Sequence, residues 1–183
     1  EVKTRLGPFP KDDADGPRTL AEAFAAEAKT AGVGHALGMP RFEVNDRDPL
    51  GVAGTVALAG LVEKAGGPKV HAVGLAHPER FDRDHLARVE AELKRGRVKA
   101  LKAYLGYVYY EPYNPGYRPY YRLAAKYDVP VVFHCGDAYS RKAKVKYAHP
   151  LKIDEVAVDF PKTRFVLAHF GNPWLLDAAQ VVY

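Results

Sequence analysis

The sequence predicts an α/β fold built on a parallel sheet, and three observations carry the prediction. Apolar stretches of strand length begin near residues 33, 70, 98, 129 and 164. Segments of helical periodicity separate them, so each unit has roughly the 30 residues or more that a strand, a crossover helix and two turns require. The strands are also nearly continuous apolar runs, as expected when helices cover a sheet and the crossovers are right-handed. Two architectures share this rhythm: an open doubly wound sheet of five strands, and an arc of a TIM-type (β/α) barrel. A chain of 183 residues suffices for a single domain over 1–183 with a substantial core.

The elements follow in order. Thr19-Leu20-Ala21-Glu22 has the form of a capping box, in which the hydroxyl and the carboxylate satisfy free amides, and it predicts a helix from Leu20 to Thr30. Gly32 breaks that helix, and Gly32 to Pro40 reads as a short strand. Leu50 to Ala65 is rich in Ala, Leu and Val and reads as a second helix, closed by Gly66-Gly67-Pro68 before a strand from Val70 to Leu75. Arg83 to Arg95 carries Leu86, Val89 and Leu93 on one face, which predicts a third helix ahead of a strand from Val98 to Tyr104. A loop with eight of the twelve tyrosines, Tyr104 to Tyr121, leads into a helix over Tyr117 to Tyr127 and a strand ending Val131-Val132-Phe133-His134. Ile153 to Val158 predicts another helix, Arg164 to His169 the last strand, and Trp174 opens one more helix.

Composition narrows the partners. The formal charge of +5 comes from 27 Lys and Arg dispersed among 22 Asp and Glu, which argues against nucleic acid. Lys94 to Lys102 and Arg141 to Lys146 are local basic clusters, and a helix end or a solvated loop explains each. No apolar run approaches the roughly 18 residues of a membrane span. The single cysteine forms no internal disulfide and suits a reducing compartment, so a cytoplasmic location is expected. The chain opens on Glu1 without an initiator methionine, consistent with processing or truncation.

In either architecture the carboxyl ends of the strands converge on one mouth, so ionisable residues placed there are diagnostic. His134 and His169 close consecutive strands at matching positions, which predicts two imidazoles about 4.8 Å apart facing one hollow. Such a pair serves one metal ion or a proton-transfer site, and a core or rim imidazole bonded to backbone is the plainer alternative for either alone. Cys135 should face the helices, because strand side chains alternate. Lys102 on an inward face calls for an anion, a metal-ligand role if carbamylated, or an escape past the rim into water. Asp137 sits either at the mouth or in a turn beside Gly136. The tyrosine loop, with Tyr104 and Arg118, offers a surface for a cyclic or anionic ligand, or simply packing over the mouth.

Val129 to Gly136, VPVVFHCG, and His149 to Trp174, HPLKIDEVAVDFPKTRFVLAHFGNPW, together with Ala100 to Tyr104 and Tyr121 to Pro130, resemble the amidohydrolase superfamily, in the amidohydrolase-related branch of metal-dependent hydrolases and decarboxylases. The resemblance runs from about Val98 onward. It implies a (β/α)₈ barrel with a divalent metal, zinc in the first instance, at the mouth. His134 matches the fifth-strand metal ligand, and His169 the sixth-strand histidine that binds metal or deprotonates water. Lys102 falls where binuclear members carry a carboxylated lysine. The family's His-x-His pair and late Asp have no counterpart, Glu1 to Gly16 resembles the loop after a first strand, and Tyr183 falls in the sixth helix. A barrel of about 250 residues would then be represented by strands two to six. The function so implied is hydrolysis of a C–N or C–O bond in a small carboxylated or cyclic substrate, with a decarboxylase at the same site as the near alternative. A noncatalytic doubly wound binding module is the alternative from another class. Uncovered sheet edges predict self-association, as a homo-oligomer or otherwise.

Overall fold

The computed structural model describes residues 15–43, 48 and 50–182. These fall into two compact units, residues 15–38 with 53–72 and residues 39–43, 48 and 50–52 with 73–182. The stretch 1–14 and Tyr183, expected to be a leading loop and a helical residue, lie outside the described residues.

The first unit contains α1 (Gly16–Thr30), β1 (His35–Gly38), α2 (Ala53–Lys64) and the start of β2 (Lys69–Leu75). Helix α1 begins four residues earlier than the capping box predicted. Pro17 in its first turn supplies a preset φ, Asp15 is the N-cap, and the Thr19 hydroxyl donates to the Asp15 carbonyl at 3.1 Å from inside the helix. Glu22 pairs instead with Arg18 at 3.1 Å. Ala21, Ala25 and Ala28 form the buried face of α1, which packs against α2. Small side chains matter there: a β-carbon on Gly67 would lie 2.7 Å from the Ala25 β-carbon and 2.7 Å from Val62 Cγ1. Helix α2 starts at Ala53 rather than Leu50.

The second unit holds the end of β2, then α3 (Arg83–Lys94), β3 (Val98–Ala103), α4 (Arg118–Lys126), β4 (Val131–Phe133), α5 (Leu151–Asp159), β5 (Phe165–Leu167) and α6 (Leu175–Val182). Before α2, Leu50 and Val52 pack as buried loop residues, with the Val52 amide on the Asp48 carboxylate at 3.1 Å and Gly51 at φ 65°. Short 3₁₀ turns at Pro115–Tyr117, Val145–Ala148 and Ala168–Gly171 have no helical period and were not expected.

The strands run parallel in chain order, β1 to β5. A doubly wound sheet reverses its order at a switch point, whereas unreversed sequential order belongs to a barrel wall. Strand order therefore decides between the two architectures that the rhythm left open, and the fold is a partial TIM-type (β/α) barrel.

Alternation divides the strands into two faces. Val73, Ala100 and Val132 form one buried cluster, with Ala168 packed against it. Leu101, Val131 and Phe133 point the other way, into a core where Tyr121 meets Phe133, Phe160 and Phe165 at ring-centroid distances of 6.0, 5.1 and 5.4 Å. A fully buried side chain of this size contributes roughly 1.5–3 kcal/mol, so this aromatic cluster anchors β4 and β5 to their helices. Much of the tyrosine-rich segment is thus core: Tyr117, Tyr120 and Tyr121 are fully buried. The Tyr121 hydroxyl donates to the Pro112 carbonyl at 2.6 Å, fixing the loop that precedes α4.

Candidate functional site

Ala100 on β3, Val132 on β4 and Ala168 just after β5 share one face, and the next residues along that face open into a cavity of about 470 Å³. Its lining includes Lys102, Tyr104, Tyr107, His134, Asp137 and His169. Met39, Tyr139, Ala168 and Asn172 complete it. The cavity thus holds five of the six residues singled out from sequence.

His134 follows β4 directly and is 5% exposed. Its Nε2 lies 2.8 Å from the Asp137 carbonyl oxygen. A carbonyl only accepts, so Nε2 carries the proton and Nδ1 holds the lone pair of the neutral ring. Burial, reinforced by the positive Lys102 and by His169, pushes the imidazole down to about 4, which keeps it neutral at physiological pH. The Tyr107 ring meets it edge-on at 4.8 Å, and the Tyr107 hydroxyl accepts the Tyr139 amide at 3.0 Å.

His169 reaches the cavity by a route that alternation did not anticipate. Phe133 pairs with Leu167, so Ala168 is the residue opposite His134, and regular strand geometry would send His169 to the helix side. The expectation of matched strand positions is corrected here by the backbone. His169 and Phe170 adopt φ of 62° and 49°, and Gly171 follows at 64°. That left-handed turn re-aims the imidazole until its ring centre lies 4.8 Å from that of His134. Non-glycine residues with such φ values cost on the order of 1 kcal/mol each, and they gather at functional sites.

The turns after β4 and β5 are knitted together. The Asp137 amide donates to the Asn172 carbonyl at 2.6 Å, and the Gly136 amide to Ala148 at 2.7 Å. Gly136 has φ 89°, and a β-carbon there would stand 2.2 Å from the Asn172 carbonyl oxygen. Glycine is therefore required by both conformation and space. The Asp137 carboxylate accepts its neighbouring Ala138 amide at 2.8 Å, the turn role that the sequence allowed, while the residue still lines the cavity.

Lys102 is 3% exposed and pairs with no carboxylate among the described residues, its Nζ lying 5.1 Å from the centre of the Tyr104 ring. Burial lowers the amine to about 8, with Cys135 pulling the other way. It is thus largely cationic at neutral pH, and a desolvated cation without a partner favours an incoming anion. Tyr104 donates its hydroxyl to the Pro40 carbonyl, which turns its ring into a fixed wall.

Arg118 is elsewhere. It opens α4 and faces Asp159 at 3.7 Å, lining a separate hollow with Arg122, Phe160 and Lys162, because the helix begins past the tyrosine loop. Cys135 is fully buried and its thiol is pushed up to about 11 by burial, which removes it as a nucleophile. Sequence reasoning missed Tyr107, Tyr139 and Asn172. The available signal was position, since each lies within a few residues after a strand end.

Two imidazoles on one hollow suit a metal in donor type. Among the described residues, however, no group of three or more His, Cys, Asp or Glu converges to hold an ion, so the pair supplies two of the three or more protein ligands that a zinc centre uses.

Comparison with known proteins agrees with the geometry. The family model described as Amidohydrolase matches residues 58–183. No curated protein matches the chain. Among solved structures, an uncharacterized TIM-barrel protein from Bordetella bronchiseptica superposes with a TM-score of 0.65 at 20% identity, over 98% of this chain and 61% of that one. A dihydroorotase from Campylobacter jejuni gives 0.48 at 14% identity, over 85% of this chain and 44% of that one. The chain therefore spans less than two thirds of the length of the solved chains it resembles.

Proposed function

We propose that this chain, which belongs to the amidohydrolase family, carries the imidazole part of a metal-dependent hydrolase site acting on a C–N or C–O bond of a small carboxylated or cyclic substrate. One observation supports the reading above the others: His134 and His169 meet at 4.8 Å on a cavity that also contains a buried lysine paired with no carboxylate among the described residues. A divalent ion, zinc by its affinity for imidazole nitrogen, would be held there by His134 and His169 and would supply an acidified water and a polarised carbonyl.

The chain's own residues perform the rest. Burial keeps His134 in the neutral form that ligation requires. His169, exposed to the cavity, shares the ion or accepts the proton of the attacking water. Lys102 holds the substrate carboxylate, with no carboxylate among the described residues competing for it. Tyr104 and Tyr107 form the wall against which a ring packs. Asp137 acts through its backbone, its carbonyl accepting the Nε2 proton of His134 and so setting the tautomer.

Cobalt(II) titration tests the reading. We expect a saturable visible absorption band that disappears in His134→Ala and in His169→Ala and survives in His149→Ala, because His149 pairs with Asp177 instead. A band indifferent to both cavity histidines would contradict it. Turnover is then sought with carboxylated amides and lactones, with carbon dioxide release followed in parallel to detect decarboxylation.

A further inference from the structure

The segment from Ala138 to Leu151 contains Arg141, Lys142, Lys144 and Lys146 and no carboxylate. All four cations are exposed, and none pairs with a carboxylate among the described residues. The nearby acid, Glu111, is already engaged by Lys152 through both carboxylate oxygens at 2.8 and 2.9 Å.

Two of the four charges, on Lys144 and Lys146, are nevertheless held in place. Tyr109 and Tyr147 stack at 5.9 Å with 21° between their planes. Lys144 sits over the Tyr109 ring at 4.2 Å and Lys146 over the Tyr147 ring at 4.9 Å. The Lys144 amide donates to the Gly106 carbonyl at 2.9 Å, and the Tyr109 hydroxyl to the Lys142 carbonyl at 2.5 Å. A π face orients a cation without neutralising it. Beyond Asp137, at its start, the loop therefore presents positive charge, with Lys144 and Lys146 oriented and neither paired with a carboxylate among the described residues.

The same loop borders the cavity. Asp137 and Tyr139 line it, and the Tyr139 amide is fixed to the Tyr107 hydroxyl beside His134. We propose that the loop from Tyr139 to Lys146 is a second anion subsite at the cavity rim, so that the ligand carries two anionic groups, one on Lys102 and one on this loop. The inference rests on the assignment of Lys102 as carboxylate anchor, and it makes the substrate a small dicarboxylate or a carboxylate bearing a second anionic group.

Binding of three related aromatic probes tests it without turnover: phthalate as dianion, benzoate as monoanion and benzamide as the neutral isostere of benzoate, each followed by tyrosine fluorescence. At low salt we expect phthalate to bind at least about tenfold more tightly than benzoate, an advantage that shrinks toward unity near 0.3 M salt as screening sets in. The triple variant Lys142→Gln, Lys144→Gln, Lys146→Gln should remove the advantage and leave benzoate affinity unchanged. Lys29→Gln, Lys64→Gln, Lys69→Gln, which removes equal charge from the other unit, should leave the advantage intact. Equal affinity for phthalate and benzoate, or equal loss in the two triple variants, would overturn the loop subsite alone. Benzoate affinity equal to that of benzamide, or unaffected by Lys102→Met, would overturn the anchor and the subsite together.

Discussion

Lys102 shows at the scale of one residue how a site is maintained against stability. Its cation is 3% exposed and pairs with no carboxylate among the described residues, so Lys102→Met should remove a desolvated charge while keeping the stem packed. We expect the urea midpoint to rise, by about 1–3 kcal/mol of stability, while benzoate binding is lost. A fall in stability would show that the amine has an internal partner. His134, His85 and His77 are all held below the ordinary imidazole value of 6.5 chiefly by burial, His134 to about 4. His85 is the extreme geometrically, since both ring nitrogens are buried without a hydrogen-bond partner. Because the unfolded chain takes up protons first as pH falls, stability is complete with respect to these rings above about 6.5 and declines below it, for His134 until about 4. Urea midpoints of the metal-free chain at several pH values should decline through that window, and His134→Gln should flatten the decline. A pH-independent midpoint would contradict the burial of these rings.

Elements decide where those residues point. Gly136→Ala would force a β-carbon to 2.2 Å from the Asn172 carbonyl oxygen at a φ of 89°. The expected loss exceeds about 2 kcal/mol, measured by urea unfolding, because strain and overlap act together. Tyr121→Phe should cost about 1–2 kcal/mol by leaving the Pro112 carbonyl without its buried donor. Most of this was legible at the level of element type: alternation placed His134 and Lys102 inward and Cys135 outward, and apolar runs marked all five strands. What escaped was set by tertiary contact. Nothing in Ala168-His169-Phe170-Gly171 announces three successive left-handed residues, so the route by which His169 reaches its partner was misread as regular strand geometry. Helix α1 likewise began at Gly16 because Pro17 fixes its first turn, overriding the Thr19 signal. The tyrosines divided between core and cavity according to which loop each packs under, a long-range choice that composition does not encode.

At the scale of the molecule, sequential strand order settles the barrel class, and the end strand β5 carries exposed apolar residues with its neighbours: Val166 is 43% exposed, Phe170 52% and Leu176 87%. Such side chains beside a strand edge that is unpaired among the described residues favour association. Sedimentation velocity should show a weight-average mass that rises with concentration, and Val166→Lys with Leu176→Lys should reduce the rise; a single monomeric boundary at all concentrations would count against it. Two imidazoles face one hollow, and zinc titration followed through the ¹⁵N resonances of the histidine rings tests their joint role most directly. We predict that the ring nitrogens of His134 and His169 shift together and saturate at one equivalent while those of His149 stay in place. Movement of one cavity ring without the other, or of neither, would contradict it.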